Sequence, residues 1–189
     1  MKDEHPTPNE KETACKALLR STGREGIEPL IEHLEQLGYF IAPGSKTHHC
    51  FKKGLLTHSM ETYRKAMELR EKKIHQGVDA QSMPEDSVIL AALLHDVCKA
   101  DVLRYSDTNH TVYTAHRGRG HSARSVRKVQ ESGFNLTTAE RDAILWHMGG
   151  KHFNEDRHQH FARHPLSEII YWADKDSIRD AAARHYRDI

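Results

Sequence analysis

Apolar side chains recur along this chain at intervals of three and four residues, the spacing of helices that bury one face. Glu10 to Arg20 carries the pattern weakly and predicts a short first helix. Ile27, Leu30, Ile31, Leu34 and Leu37 carry it strongly, and Gly38 follows as a stop signal. Tyr39 to Lys53 contains Pro43 and Gly44 and no clear period, which predicts a loop. A long helix is predicted from Leu55 to about His75, with Leu56, Met60, Tyr63 and Met67 on one face. Gly77 to Met83 reads as a turn, and Pro84 opens a helix that is apolar at every position from Val88 to Leu94. Between Val102 and Ala115 residues alternate around Ser106-Asp107-Thr108-Asn109, which predicts a small β-hairpin. Gly120 precedes a helix that stops at Gly133. Thr137-Thr138-Ala139-Glu140 has the form of a capping box, opening a helix that ends near His147-Met148-Gly149-Gly150. Lys151 to His164 is polar and histidine-rich and reads as a loop, after which Pro165 opens the last helix. No internal repeat or low-complexity stretch interrupts the order. The pattern predicts an all-α fold, a helical bundle with one short β-hairpin.

At 189 residues the chain is expected to form a single domain over 1–189, with a core at about 40–180 and the helices of 10–38 packed on it. Hydrophobic content of 37% with 29% charge is that of a soluble globular protein. A net charge of +1 excludes a global basic field for bulk nucleic-acid binding. The longest fully apolar run is far too short to span a bilayer, and the polar start has no secretory signal. Cys15, Cys50 and Cys98 are widely spaced with no CxxC pair, so reduced thiols and a cytoplasmic location are expected. Histidine is the unusual residue, at 16 copies. Position must decide which of them matter.

The pair His95-Asp96 closes the apolar run Ile89 to Leu94, where an ionised carboxylate is rarely buried unless paired or bound to a metal. His58 lies 37 residues earlier, beside Leu55, Leu56 and Met60. Asp174 lies 78 residues after Asp96, behind Ile170-Tyr171-Trp172-Ala173. His121 and His147 fall between them, each at the edge of its own apolar pattern, and two glycines after His147 permit close approach of backbone or ligand. Taken singly, each has an ordinary explanation: a hydrogen-bonded core histidine, a helix-start residue, or an aspartate paired with Lys175. Five such positions on separate helices are harder to explain that way. Imidazole with carboxylate suits iron, manganese, zinc, cobalt or nickel and does not choose among them.

The order His58, His95-Asp96, Asp174 resembles the H…HD…D signature of the HD-domain metal-dependent phosphohydrolases. Gly54-Leu55-Leu56-Thr57-His58-Ser59 is similar to that superfamily's GLLxHS, and Leu94-His95-Asp96-Val97-Cys98-Lys99 to its LHDxxK. Gly120-His121-Ser122 and Trp146-His147-Met148-Gly149 resemble the further histidine motifs of its two-metal branches. The resemblance covers about residues 40 to 180, and the chain looks most like the small stand-alone bacterial members. It implies that His58, His95, Asp96 and Asp174 hold a first divalent metal. It also implies that Asp96 bridges to a second metal held by His121 and His147. Met148 departs from the pattern where several branches carry another histidine. His48 or His49 is similar to a further family position near the site, and Lys99 and Arg124 match basic positions that could face a substrate phosphate.

The reaction so implied is hydrolysis of a phosphate ester by metal-activated water, with Asp96, Lys99 and Arg124 as the catalytic candidates. No serine or cysteine nucleophile is needed, and Cys98 reads as a small packing residue. A near-neutral chain favours a small phosphorylated substrate such as a nucleotide. The Gly-Tyr-Pro run of the cyclic-dinucleotide branch is missing after His147. Two other classes stand beside this reading. One is a nuclease acting on RNA or DNA ends, with Arg117, Arg119, Arg124, Arg127 and Lys128 as a basic groove, although a solvated helix face explains those charges as well. The other is a non-catalytic metal-stabilised sensor or interaction module.

Overall fold

The computed structural model describes residues 8–115, 120–150 and 156–187. Helices α1 (Pro8–Ser21) and α2 (Ile27–Leu37) come first, followed by a loop and the long α3 (Gly54–His75). A single 3-10 turn, Ala80–Ser82, leads to α4 (Glu85–Leu94). After the short α5 (Lys99–Val102), strands β1 (Leu103–Ser106) and β2 (Thr111–Thr114) pair antiparallel, Leu103 opposite Thr114 and Ser106 opposite Thr111. Helices α6 (His121–Gln130), α7 (Thr138–Trp146), α8 (Arg157–Arg163) and α9 (Pro165–Arg187) complete the order. Among the described residues the fold is all-α with one two-stranded hairpin, as the apolar pattern predicts.

Helix α4 is the centre of the bundle. Every residue from Ser87 to Leu94 is buried, so this helix has no solvent face to give it an amphipathic pattern. It packs against α1, α3, α7 and α9, while α9 also lies along α3 and α7. One continuous core runs from Cys15 and Leu19 on α1 to Ile169, Ile170 and Ala173 on α9. Tyr39, fully buried, donates its hydroxyl to Leu93 O at 2.7 Å and holds the end of α4 where the functional residues begin.

Helix boundaries follow local chemistry. Gly38 takes φ 78°, and its N–H caps the α2 carbonyls of Leu34 and Glu35. At α7 the capping box is present on both sides: Thr137 accepts from Glu140 N, and the Glu140 carboxylate accepts from Thr137 N at 2.8 Å. The same carboxylate, fully buried, also accepts from Ser87 Oγ at 2.8 Å and from Arg24 Nη1 at 2.6 Å. A capping residue thereby ties the α1–α2 turn, α4 and α7 together.

One predicted loop is corrected. Lys151 to His164 contains α8, started by Asp156, whose side chain accepts from His158 N and Gln159 N; residues 151–155 lie outside the described residues. The helix escapes an apolar-pattern reading because half of its buried contact is made by histidine. His160 stacks on Trp146 with ring centroids 3.8 Å apart, beside Phe161. Among the described residues no helix is long and apolar enough to cross a membrane.

Glu140→Ala is expected to lower stability by about 3 kcal/mol, because it strands Arg24 and Ser87 and removes an N-terminal cap together. Removing the solvent-exposed Arg20–Glu28 pair by Arg20→Ala should leave stability almost unchanged. Urea unfolding of both variants checks the contrast, and equal losses would show that the buried knot has no special weight.

Candidate metal centre

Five helices deliver the candidate residues to one place. His58 lies in the first turns of α3, and His95-Asp96 follow the last residue of α4, where the chain turns and Lys99 N bonds back to Asp96 O at 2.9 Å. His121 is the first residue of α6, His147 follows the last residue of α7, and Asp174 lies within α9. Helix ends suit this work, since they aim side chains beyond the packed cylinder while the preceding turns stay in the core. His58, His95, Asp96, His147 and Asp174 are 0–2% exposed.

The donor atoms form two sets that share Asp96. In the first, His58 Nε2 and His95 Nε2 are 3.2 Å apart. Asp96 Oδ2 is 3.4 Å from each of them, and Asp174 Oδ1 is 3.2 Å from His58 Nε2 and 3.7 Å from His95 Nε2. In the second, Asp96 Oδ1 contacts His121 Nε2 and lies 3.4 Å from His147 Nε2. A cation about 2.1 Å from each donor would space them about 3.0 Å apart at right angles and about 3.4 Å in a tetrahedron. The first set is close to those spacings, so these residues fit a transition metal.

Hydrogen positions make the same case. His95 Nδ1 bonds to Ala92 O at 2.8 Å and His147 Nδ1 to Ile144 O at 2.6 Å; a carbonyl only accepts, so both rings carry their hydrogen on Nδ1. Ser177 Oγ donates to Glu61 Oε2 at 3.4 Å and lies 3.1 Å from His58 Nδ1, which assigns that ring the same tautomer. With each ring neutral, three Nε2 lone pairs face the carboxylates, and His147 Nε2 is buried with no hydrogen-bond partner. A lone pair buried against another lone pair needs a cation between them.

Ammonium and imidazolium groups supply the positive charge around these carboxylates. Lys99 Nζ is 2.5 Å from Asp96 Oδ2, and Lys175 Nζ is 3.1 Å from Asp174 Oδ2. Burial alone would raise the pKa of Asp96, but the Lys99 ammonium and the His121 ring outweigh it and hold the carboxyl well below its ordinary range. Asp174 is lowered too, burial being overcome chiefly by its hydrogen bond with His58, whose ring is raised in return. At His121 burial is overcome by Asp96, which pushes the ring up to about 10, whereas burial dominates at His147 and lowers it.

The other candidates divide. Lys99 is at the centre. Arg124 is held by Asp101 at 3.4 Å, and Lys128 lies 3.6 Å from the same carboxylate. Arg117 and Arg119 lie outside the described residues. The two glycines after His147 answer to aromatic packing. A Cβ on Gly150 would lie 1.9 Å from the Trp146 ring, and one on Gly149 would lie 3.0 Å from Tyr171. Glu61, Ser177 and Cys98 are contacts that sequence reading misses as orienting groups. Cys98 is buried, as a packing residue would be, yet its Sγ is 3.1 Å from His121 Nδ1. Only the proximity of Cys98 to His95-Asp96 hints at this in the sequence.

The HD-domain family model matches residues 55–178, about two thirds of the chain. No curated protein and no solved structure matches it. The matched span begins just ahead of His58 and ends just past Asp174, and it takes in every donor described above. The chain belongs to the HD-domain family, whose superfamily is that of metal-dependent phosphohydrolases.

Proposed function

We propose that the protein hydrolyses a phosphate ester of nucleotide size, using one or two divalent metal ions. The observation that carries this reading is the division of Asp96, whose two buried oxygens serve two separate groups of imidazole nitrogens. A structural site needs one closed shell and has no use for a carboxylate shared between two. His58, His95, Asp96 and Asp174 would hold the first ion, and Asp96, His121 and His147 the second. A divalent ion there would supply Lewis acidity toward phosphoryl oxygens and would acidify water at neutral pH.

The chain's own residues do the rest. Asp96 and Asp174 are each shared between imidazole donors on one side and a lysine on the other. Lys99 is the cation best placed to meet a phosphoryl oxygen where charge develops. Arg124 would act from further out, since Asp101 now holds it. Neutralisation of Arg124 and Lys128 by Asp101 also weakens the basic groove that a long nucleic acid would require, which supports a small substrate.

A screen of phosphate monoesters, diesters and nucleotides, each with iron, manganese, zinc, cobalt and nickel, is the direct test. Hydrolysis of at least one small ester is expected. Activity confined to RNA or DNA ends would move the assignment to a nuclease, and metal binding with no turnover would leave a sensor or interaction module. Asp96→Ala is expected to lose metal retention and to lower turnover by at least about a thousandfold, because it removes a donor from both sets. A variant with wild-type turnover would end the two-set account. The second ion is expected to bind more weakly than the first, and Met148→His to tighten it by about tenfold, since a thioether is a poor ligand for such ions. Calorimetric titration checks this, and two equal tight sites in the wild type would refute it.

A further inference from the structure

A second group of histidines adjoins the first donor set. His48 and His49 lie in the loop between α2 and α3, and ring nitrogens of His48, His49 and His58 come within 4.8 Å of one another. The loop is built to hold them. His49 takes φ 51°, left-handed for a residue with a side chain, and Gly44 N bonds to its carbonyl at 3.0 Å. A Cβ on Gly54 would lie 2.0 Å from that same carbonyl oxygen, so the first residue of α3 must be glycine for this backbone to close. Backbone strain of this kind persists only where the surroundings over-determine it, and it gathers at functional sites.

Polar contacts continue from the backbone. His49 is buried, and its Nε2 lies 3.1 Å from Glu61 Oε2. The same oxygen accepts from Ser177 Oγ, the group that orients His58. One carboxylate thereby positions a metal-set imidazole through Ser177 and His49 directly. Because the carboxylate accepts, His49 Nε2 carries hydrogen, and in a neutral ring its Nδ1 is left as a lone pair. His48 Nδ1 is 3.1 Å from that nitrogen and so donates to it. In a neutral His48, Nε2 is then the unprotonated end of a half-buried ring whose centroid lies 5.3 Å from that of His58.

An acceptor is unusual company for a phosphate site, where Lys99 already supplies the cation. A bare imidazole nitrogen does not bind a phosphoryl oxygen; it binds a hydroxyl hydrogen. We propose that His48 is a catalytic residue whose Nε2 accepts a hydrogen bond from the attacking water and so aims the water's lone pair at phosphorus. Glu61 and His49 are its positioning residues. The assignment rests on the phosphohydrolase reading above.

The test compares wild type, His48→Ala and His48→Gln, each melted to confirm folding, with Mn2+ and bis(p-nitrophenyl) phosphate, a diester with no hydroxyl. In His48→Ala, kcat should fall about a hundredfold with KM within about twofold, the share expected of a group acting on a proton in the transition state. His48→Gln, which keeps an acceptor near the Nε2 position, should recover about tenfold of that loss. Calorimetric Mn2+ stoichiometry should match wild type in both. Ring-nitrogen NMR of the metal-free wild type should show His48 protonated on Nδ1 and bare on Nε2. Wild-type kcat in His48→Ala overturns the assignment, as does a protonated Nε2. Loss of one Mn2+ equivalent overturns it in favour of a third ligand, and a defect confined to substrates with a sugar hydroxyl overturns it in favour of sugar recognition. A wild type inactive on every ester removes the phosphohydrolase reading and this one with it. An active wild type with an indifferent His48 removes only this one.

Discussion

Two buried carboxylates facing a ring of imidazole nitrogens are the constraint to which the rest of this structure answers. Asp96 and Asp174 are each 2% exposed, and neither could be ionised there without positive charge at contact distance. Lys99, Lys175 and His121 meet that need in this structure. The hydrogens on His95 and His147 are meanwhile committed to backbone carbonyls three residues back, at Ala92 and Ile144. Those bonds are available only because each histidine follows the last turn of a helix, where carbonyls lack intrahelical partners. Helix ends therefore choose the tautomer, and the tautomer makes the ligand.

Placing such groups in the interior requires a rigid frame. Helix α4 is buried all round from Ser87 to Leu94, so His95 and Asp96 start from a fixed point. Tyr39 bonds to Leu93 O, two residues before His95, and Glu140 locks α4 to α7 through Ser87. The packing of α3, α4, α7 and α9 on one another then decides where His58, His147 and Asp174 meet. Each donor's direction is set by apolar contacts on its own helix and by one orienting hydrogen bond.

That division explains what could be read from sequence. The helices of the core, the hairpin, the capping box at Thr137 and the convergence of His58, His95, Asp96, His121, His147 and Asp174 were legible, because apolar periodicity and chemically conspicuous residues carry them. Helix α8 was not, since His160 stands in for an apolar residue by stacking on Trp146. Glu61 and Ser177 were not either. Glu61 acts through Ser177, 116 residues away, and Ser177 Oγ contacts His58 Nδ1 across 119 residues of chain. Such pairs leave no local pattern. The glycines after His147 were noticed for the right backbone property, but the group pressed against them is the Trp146 and Tyr171 rings.

The two donor sets are unequal, and the inequality comes from where α6 begins. His58, His95 and His147 each fix Nδ1 with an oxygen, from Ser177, Ala92 and Ile144. His121 is instead the first residue of its helix, and its Nδ1 lies 3.1 Å from Cys98 Sγ. A thiol is a weaker donor and acceptor than a hydroxyl or a carbonyl, so it fixes the ring less firmly. His121 is also the open member of the group, with 33% of its side chain exposed against 1% for His147. A closed, oxygen-anchored set thus adjoins one that is open and sulfur-anchored at His121, with Asp96 common to both. On the proposed reading, the open side is the one that would admit a substrate, and the looser hold on His121 is the physical counterpart of that access.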